Sequence, residues 1–297
     1  MKLYLALILA GGLLSSYSYL TDNDREYKKA KKQLDKLFAF VPSGTAIADG
    51  DSLTVQSFYM SKTEVTNGQY MEFLNDLLAT GETEKYAQAA LDTNAWNELG
   101  GSMNEMASYY HDHPAYTDFP VVNVPKKGAE LYCEWLSEKM NKLSGGKMKL
   151  NFRVPTRAEF LRASCDKNAS QTYAWGGNDL RNKEGCFLAN YVHLGDAAIT
   201  RNDETGELEI NKSAMMPNYY IDGSFITAPA KSYFPNEFGL YNLNGNVAEM
   251  VSDGDLVVGG DWHSPGFDVR NQSVRKMDGP EPMSGFRVVA TYLGAEE

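Results

Sequence analysis

The chain has 297 residues, 43% of them apolar and 23% charged, which leaves room for the core of one large domain or two small ones. Its formal net charge is -11. Proteins that bind nucleic acid gather Lys and Arg on one face, so a polyanionic partner is not expected.

Met1 and Lys2 are followed by an apolar run from Leu3 to Leu14 and then by Ser15, Ser16, Tyr17 and Ser18. A positive start, an apolar middle and a small-residue exit are the marks of an export signal. The run is shorter than the ~20 residues a membrane span needs. Residues 1–18 are therefore read as a signal peptide, or as an uncleaved anchor if Tyr17 to Leu20 extend it. The expected location is periplasmic, cell-envelope or secreted, with membrane contact only through this segment. No cysteine precedes Cys133, which excludes lipid attachment at the end of the signal.

Thr21 to Phe38 is highly charged, with Tyr27, Ala30, Leu34 and Leu37 at helical spacing. Residues 19–39 are read as a helical spacer ahead of a domain over 40–297. L-T-V-Q-S-F-Y-M then alternates as a strand does. Thr66 and Gln69 form a T-x-x-Q capping box before Tyr70, Phe73, Leu74 and Leu77, which predicts an amphipathic helix. Ala79 to Asp118, rich in Tyr, Asn, Asp and Gly, reads as an inserted loop, and its His111-Asp112-His113 as solvated because no third metal ligand follows at a recognisable spacing.

Pro125 opens a second helix with Ala129, Tyr132, Cys133, Leu136 and Met140 on one face, stopped by Gly145-Gly146. Thr156 and Glu159 are a second capping box and start a third. From Tyr173 onward the many Asn, Asp and Gly residues indicate long loops across short strands. The three cysteines are Cys133, Cys165 and Cys186. In an exported chain Cys165 and Cys186 can pair, which would contribute on the order of 3 kcal/mol. Cys133 would then remain as a buried thiol.

The run Asn236 to Asp253, N-E-F-G-L-Y-N-L-N-G-N-V-A-E-M-V-S-D, is rich in Gly and Asn and suits tight turns with left-handed positions. Asn242, Asn246, Glu249 and Asp253 place side-chain oxygens close together, as a hard cation such as calcium requires. The alternative is that Asn242 and Glu249 fasten a turn by hydrogen bonds.

F-Y-M-S-K-T-E-V-T-N-G-Q-Y, F-P-V-V-N-V-P-K-K-G-A-E-L-Y-C-E-W-L, F-R-V-P-T-R-A-E-F, Y-A-W-G, T-A-P-A, N-E-F-G-L-Y-N-L-N-G-N-V-A-E-M, G-G-D-W and G-F-R-V follow one another between about Phe40 and Ala290. This ordered series resembles the formylglycine-generating enzyme, or sulfatase-modifying factor, family. The resemblance implies an α+β, C-type lectin-like fold, loop-rich, with short twisted antiparallel sheets and two or three helices. It also implies two structural calcium sites. One falls on Asn190 and Asp222 with the carbonyls of Tyr191 and Ser224, the other on Asn242 and Glu249 with the carbonyls of Gly245 and Val247.

Enzymes of this family oxidise a substrate cysteine to formylglycine with copper held by two cysteines, and those positions fall on Ser264 and Val269. A soft monovalent copper needs thiolates, so copper is not expected and the chain reads as enzymatically inactive. Val258 and Asp261 replace the Arg and Ser of the family's R-G-G-S segment, and Ala248 replaces a tryptophan. Asp261, His263 and Ser264, with Asp268, are the remaining candidates for acid/base or metal chemistry; the alternative is that Asp261 and Asp268 pair with Arg270 or Arg275.

The leading reading is a calcium-stabilised binding or scaffold protein with a protein or glycan partner in the cell envelope, similar to the gliding-motility and secretion-associated members of Bacteroidota. Those are lipoproteins, which this chain is not expected to be. The alternatives are a formylglycine-generating oxidase and a lectin-like ligand-display protein whose face, His263 to Met283, would offer Phe267, Asn271, Gln272 and Met277.

Overall fold

The apolar periodicities become the two long helices of the fold. In the computed structural model, which describes residues 25–293 except 167, 194–198, 203–204, 207 and 211–223, α2 (Asn67–Thr80) begins at Thr66. The Thr66 hydroxyl accepts from the Gln69 amide at 3.3 Å and the Gln69 side chain accepts from the Thr66 amide at 3.0 Å, so the expected capping box forms. Gly81, at φ 77°, ends the helix in the left-handed conformation. The second long helix, α5 (Lys126–Leu143), starts after Pro125 and buries Ala129, Tyr132, Cys133 and Met140. Thr156 and Glu159 close the second capping box at the head of α6 (Arg157–Ser164).

Four strands, β1 (Phe38–Val41), β4 (Phe58–Ser61), β12 (Val289–Tyr292) and β5 (Leu150–Arg153), form an antiparallel sheet in the order β1-β4-β12-β5. A second sheet runs β10 (Val274–Lys276), β9 (Leu256–Val258), β8 (Ala248–Val251), β11 (Ser284–Gly285), with β11 parallel to β8 and the other pairs antiparallel. Two-stranded ribbons pair β2 (Gly44–Ala48) with β3 (Asp51–Val55) and β6 (Ile199–Arg201) with β7 (Leu208–Ile210). The strand of β12 next to the chain end sits in the middle of the first sheet, so the domain closes only when the last segment returns.

The main core lies where α2 and α5 cover the first sheet and includes Tyr70, Phe73, Tyr132, Phe152 and Phe286. Tyr70 and Tyr132 stack at 5.9 Å, and Phe286 meets both edge-on. Each such ring contributes roughly 1.5–3 kcal/mol by burial alone. A third cluster, Trp96, Tyr110, Val122, Ile226 and Trp262, fastens the middle of the chain to the second sheet. Among the described residues from Cys165 onward there is no helix, as the loop-rich α+β reading predicts.

Four local expectations change. Residues 25–37 are helical (α1), but Ala30 and Leu34 are buried with Phe38 and Phe152 in the main core, so this helix is packed on the domain rather than extended from it. The stretch expected as a loop contains α3 (Thr83–Ala89), α4 (Met106–Tyr109) and three 3-10 turns, because Trp96 and Tyr110 are buried and pin it in short helical steps. His111 is likewise buried at 8% exposure, with Nδ1 3.1 Å from Asn67 Oδ1, whereas His113 caps a 3-10 turn at the surface. Cys165 and Cys186 do not pair: Cys165 is buried with its thiol beside Asn271, and Cys186 is exposed. Residues 1–18, the expected signal, lie outside the described residues.

Candidate functional site

The polar centre of the molecule is built from the turn that carries Asn242 to Glu249. Asn242 and Asn246 adopt φ values of 51° and 66°, and Gly245 lies at 76°. A Cβ on Gly245 would collide with the Asn190 carbonyl oxygen, so the close approach of these two segments requires glycine. The Asn246 amide donates to that same carbonyl at 2.8 Å.

This packing assembles residues far apart in sequence. Arg287 and Glu249 are both fully buried, with Arg287 Nε 3.0 Å from each carboxylate oxygen and Nη2 2.7 Å from Oε1. Arg287 also donates to the carbonyls of Ser61 and Tyr241, at 2.9 and 2.7 Å. A second buried carboxylate, Glu64, accepts from Asn246 Nδ2 at 2.8 Å and from Asn242 Nδ2 at 3.3 Å. Burial pushes the Glu64 carboxyl up to about 8, against the pull of Arg287 and with added repulsion from Glu249. Burial also pushes Glu249 upward, and Arg287 draws it back.

Both asparagines that the resemblance assigns to calcium carry an unpartnered buried oxygen. Asn190 Oδ1 and Asn242 Oδ1 have no hydrogen-bond donor, although the Nδ2 atoms of the same side chains donate to the carbonyls of Ile226 and Ala230, at 2.8 and 3.1 Å. A buried carbonyl oxygen left without a donor is costly, and either a water or a cation satisfies it. Asn190, Tyr191 and Ser224 are described and Asp222 lies outside the described residues. The carbonyl-bearing residues Gly245 and Val247 stand on the same turn as Asn242. The donor set thus fits a hard cation, with one departure: the Glu249 carboxylate is engaged by Arg287. Glu64, which completes this centre, was not singled out from sequence.

The segment after β9 has a different construction. Asp261 is 3% exposed, and its Oδ1 accepts from the His263 backbone amide at 2.9 Å while Arg275 reaches Oδ2 at 3.3 Å. Ser264 Oγ accepts from the Asp261 amide at 3.2 Å. Asp261, His263 and Ser264 therefore come together as a backbone turn, with the Asp261 carboxylate facing an amide and a guanidinium rather than an imidazole. Arg275 also pairs with Glu281 at 2.5 Å. Burial raises the Asp261 carboxyl. The ring of His263 is on the surface, Asp268 is exposed, and Val269 is fully buried with Tyr173, Ala189 and Tyr191. Neither Ser264 nor Val269 can supply a thiolate, so this segment does not fit copper.

Beside it opens a cleft of about 640 Å³ lined by Leu180, Phe187, Tyr191, His193, Phe267 and Asp268, among others. Phe187 and His193 lie 3.9 Å apart, and Arg270 covers the exposed ring of Phe267 at 3.4 Å. Of the four face residues expected from sequence, Phe267 and Gln272 are exposed. Asn271 and Met277 are buried. Asn271 instead bonds Asn244 and the Gln171 carbonyl at 2.9 Å each, which ties the turn to the loop after α6. The Asn, Asp and Gly residues from Tyr173 onward predict irregular backbone but not this aromatic wall.

Residues 24–292 match the family model described as the sulfatase-modifying factor enzyme 1-like domain. A formylglycine-generating enzyme of Streptomyces coelicolor is 25% identical over 76% of this chain and 66% of its own length. The Bos taurus enzyme of the same name is 28% identical over 68% of this chain and 50% of its own length. A protein of Paenibacillus barcinonensis named chaperone protein LppX is 22% identical over 76% of this chain and 69% of its own. The chain thus spans between half and two thirds of the length of the two enzymes. Among solved structures, PvdO from Pseudomonas aeruginosa superposes with a TM-score of 0.53 at 20% identity, covering 85% of this chain and 93% of that one. The Treponema denticola variable protein 1 does so at 0.52 and 15% identity, covering 85% and 94%. With the matched domain running through both sheets and the polar centre between them, the chain belongs to the sulfatase-modifying factor enzyme 1-like domain family.

Proposed function

We propose that this chain is an exported, non-catalytic member of its family, a calcium-stabilised domain that binds a protein or glycan partner in the cell envelope. The observation that carries the reading is the pair Ser264 and Val269, which stand where the family's oxidases hold copper. Ser264 serves the Asp261 turn, and Val269 is part of an apolar cluster. Rebuilding thiolate ligation would therefore require more than an exchange of two side chains. The cleft beside this turn offers aromatic walls, a histidine and a carboxylate to a ligand. A relative named as a chaperone protein is consistent with a protein-binding role. The N-terminal sequence pattern supports export.

Oxidase activity is the property that separates this reading from its main rival. The full chain, supplied with monovalent copper, oxygen and a cysteine-containing peptide, is expected to yield no formylglycine above a protein-free control when the peptide is analysed by mass spectrometry. Formation of formylglycine dependent on the protein would overturn the reading.

A further inference from the structure

The net charge of -11 conceals a basic helix. Residues 25–37, which form α1, carry Arg25, Lys28, Lys29, Lys31, Lys32 and Lys36 against two acids, Glu26 and Asp35. Arg25, Lys29, Lys32 and Lys36 recur at intervals of four, three and four, so they share one face, and Lys28 stands one turn before Lys32 beside them. All five are exposed, and the face opposite is the one that Ala30 and Leu34 bury in the main core. Neither acid falls on this stripe, and Asp35 is paired with Lys31 at its flank. Like charges three and four residues apart weaken a helix, so the stripe is a burden to α1 until an anionic surface meets it.

The helix is fastened to the domain, which gives this face a fixed direction. Lys62 Nζ donates to the carbonyls of Asp35 and Lys36, at 2.7 and 3.2 Å, and the Lys62 amide donates to the Leu37 carbonyl at 2.9 Å. Along one flank of α1 runs a cleft of about 500 Å³ whose walls include Tyr27, Lys31, Phe40, Tyr59 and Tyr292. The rings of Phe40 and Tyr292 are 53% and 51% exposed, and Leu293, next in the chain, is 65% exposed. Lysines beside exposed rings suit a membrane surface, where the cations meet lipid phosphates and the rings enter the boundary of the acyl chains. An acidic peptide would call for the cations but not for the rings.

The sequence keeps this face close to lipid. Ten residues separate Leu14, the last of the apolar run, from Arg25, a reach of at most about 40 Å when fully extended. We infer that the basic face of α1, with the rings of Phe40 and Tyr292 at its flank, is a docking surface for a bilayer rich in anionic lipid, whose headgroup phosphates are the counter-ions of the five cations. Each Lys or Arg near such a surface adds to the attraction, while the acids of the remaining chain are repelled by it, so the domain is oriented with α1 toward the lipid. This rests on the cell-envelope reading and names a lipid surface as a second partner, apart from the ligand of the cleft beside the turn after β9.

The test is sedimentation of the full chain with vesicles of phosphatidylcholine, alone or with about 30% phosphatidylglycerol, at ~0.1 M salt. The neutral vesicles read what the apolar N-terminal run contributes, so the difference between the two belongs to charge. Binding is expected to be at least about tenfold tighter on the anionic vesicles and to fall close to the neutral level at ~0.5 M salt. Lys28→Gln/Lys29→Gln/Lys32→Gln is expected to lose most of that difference while unfolding no earlier than the parent, because like charges have been removed. The matched control Lys127→Gln/Lys183→Gln/Lys276→Gln, at exposed positions outside this face, is expected to keep the difference within about twofold. Phe40→Ser/Tyr292→Ser keeps every charge and is expected to weaken binding to the anionic vesicles about threefold or more. Equal binding of the parent to both vesicles, or a difference that the control loses as fully as the face variant, overturns the inference, and unchanged binding of the ring variant overturns the part given to the rings. Retention of the parent on immobilised polyglutamate without a preference for the anionic vesicles overturns it too, and assigns the face to an acidic protein. Each failure leaves the non-catalytic reading standing, because the formylglycine assay decides that separately.

Discussion

The polar centre, between the two sheets, and the turn after β9 are both built around buried carboxylates, yet they are held in different ways. In the centre, side chains bond to side chains across long sequence separations, with Glu64, Asn242, Asn246, Glu249 and Arg287 all buried. In the turn, side chains bond to backbone two or three residues away and to the half-exposed Arg275, with His263 and Asp268 left at the surface. The first arrangement fixes how distant segments meet, whereas the second shapes a local surface. A change of side chains in the turn therefore leaves the contacts of the centre in place.

The comparison is broken most strongly by removing one charge from each region. Arg287→Met leaves Glu249 buried without its partner and is expected to cost about 3–5 kcal/mol, a large part of a domain's stability, read from the denaturant midpoint. Asp261→Asn should cost only about 1 kcal/mol, because Arg275 is partly exposed and keeps Glu281. Equal losses would remove the distinction.

Acid sharpens the same contrast through His111. Burial lowers its pKa to about 4, from 6.5 in the unfolded chain, so the unfolded state binds the proton first. Its contribution to stability is complete above pH 6.5, falls as the pH drops toward 4, and levels off below that. The full loss is about 3 kcal/mol. Urea unfolding between pH 7 and 4 measures it, and His111→Gln should flatten the slope over that window.

Smaller effects follow at the rim. Thr156→Ala breaks the capping box of α6, whose last residue Ser164 and the adjoining Cys165 contact Asn271, and is expected to cost about 1 kcal/mol in thermal unfolding. Phe267→Ala, at a ring 67% exposed, should change stability by less than about 0.5 kcal/mol. A larger loss would mean that the Phe267 wall of the cleft belongs to the core.

Much of this was legible in the chain. The capping boxes at Thr66 and Thr156 and the apolar faces of α2 and α5 depend on neighbours three or four residues apart, so spacing alone reveals them. The quoted motifs contained Glu64 and Arg287, but nothing local marks them as partners. Glu64 lies 178 residues from Asn242, and Arg287 meets Glu249 only when β11 and β12 return beside β8 and β4. Burial of His111, Asn271 and Met277 was hidden for the same reason: each sits in a polar or irregular stretch and is covered by segments distant in sequence. Helix α1 read as a spacer because its apolar stripe is narrow, and two side chains, Ala30 and Leu34, suffice to dock it.

The proposal that this domain holds calcium at its polar centre and no copper at the turn after β9 is tested most directly by the metal content of the protein purified without chelators. The account predicts calcium at stoichiometric occupancy and copper at background. Copper bound stoichiometrically, with calcium absent, would contradict it.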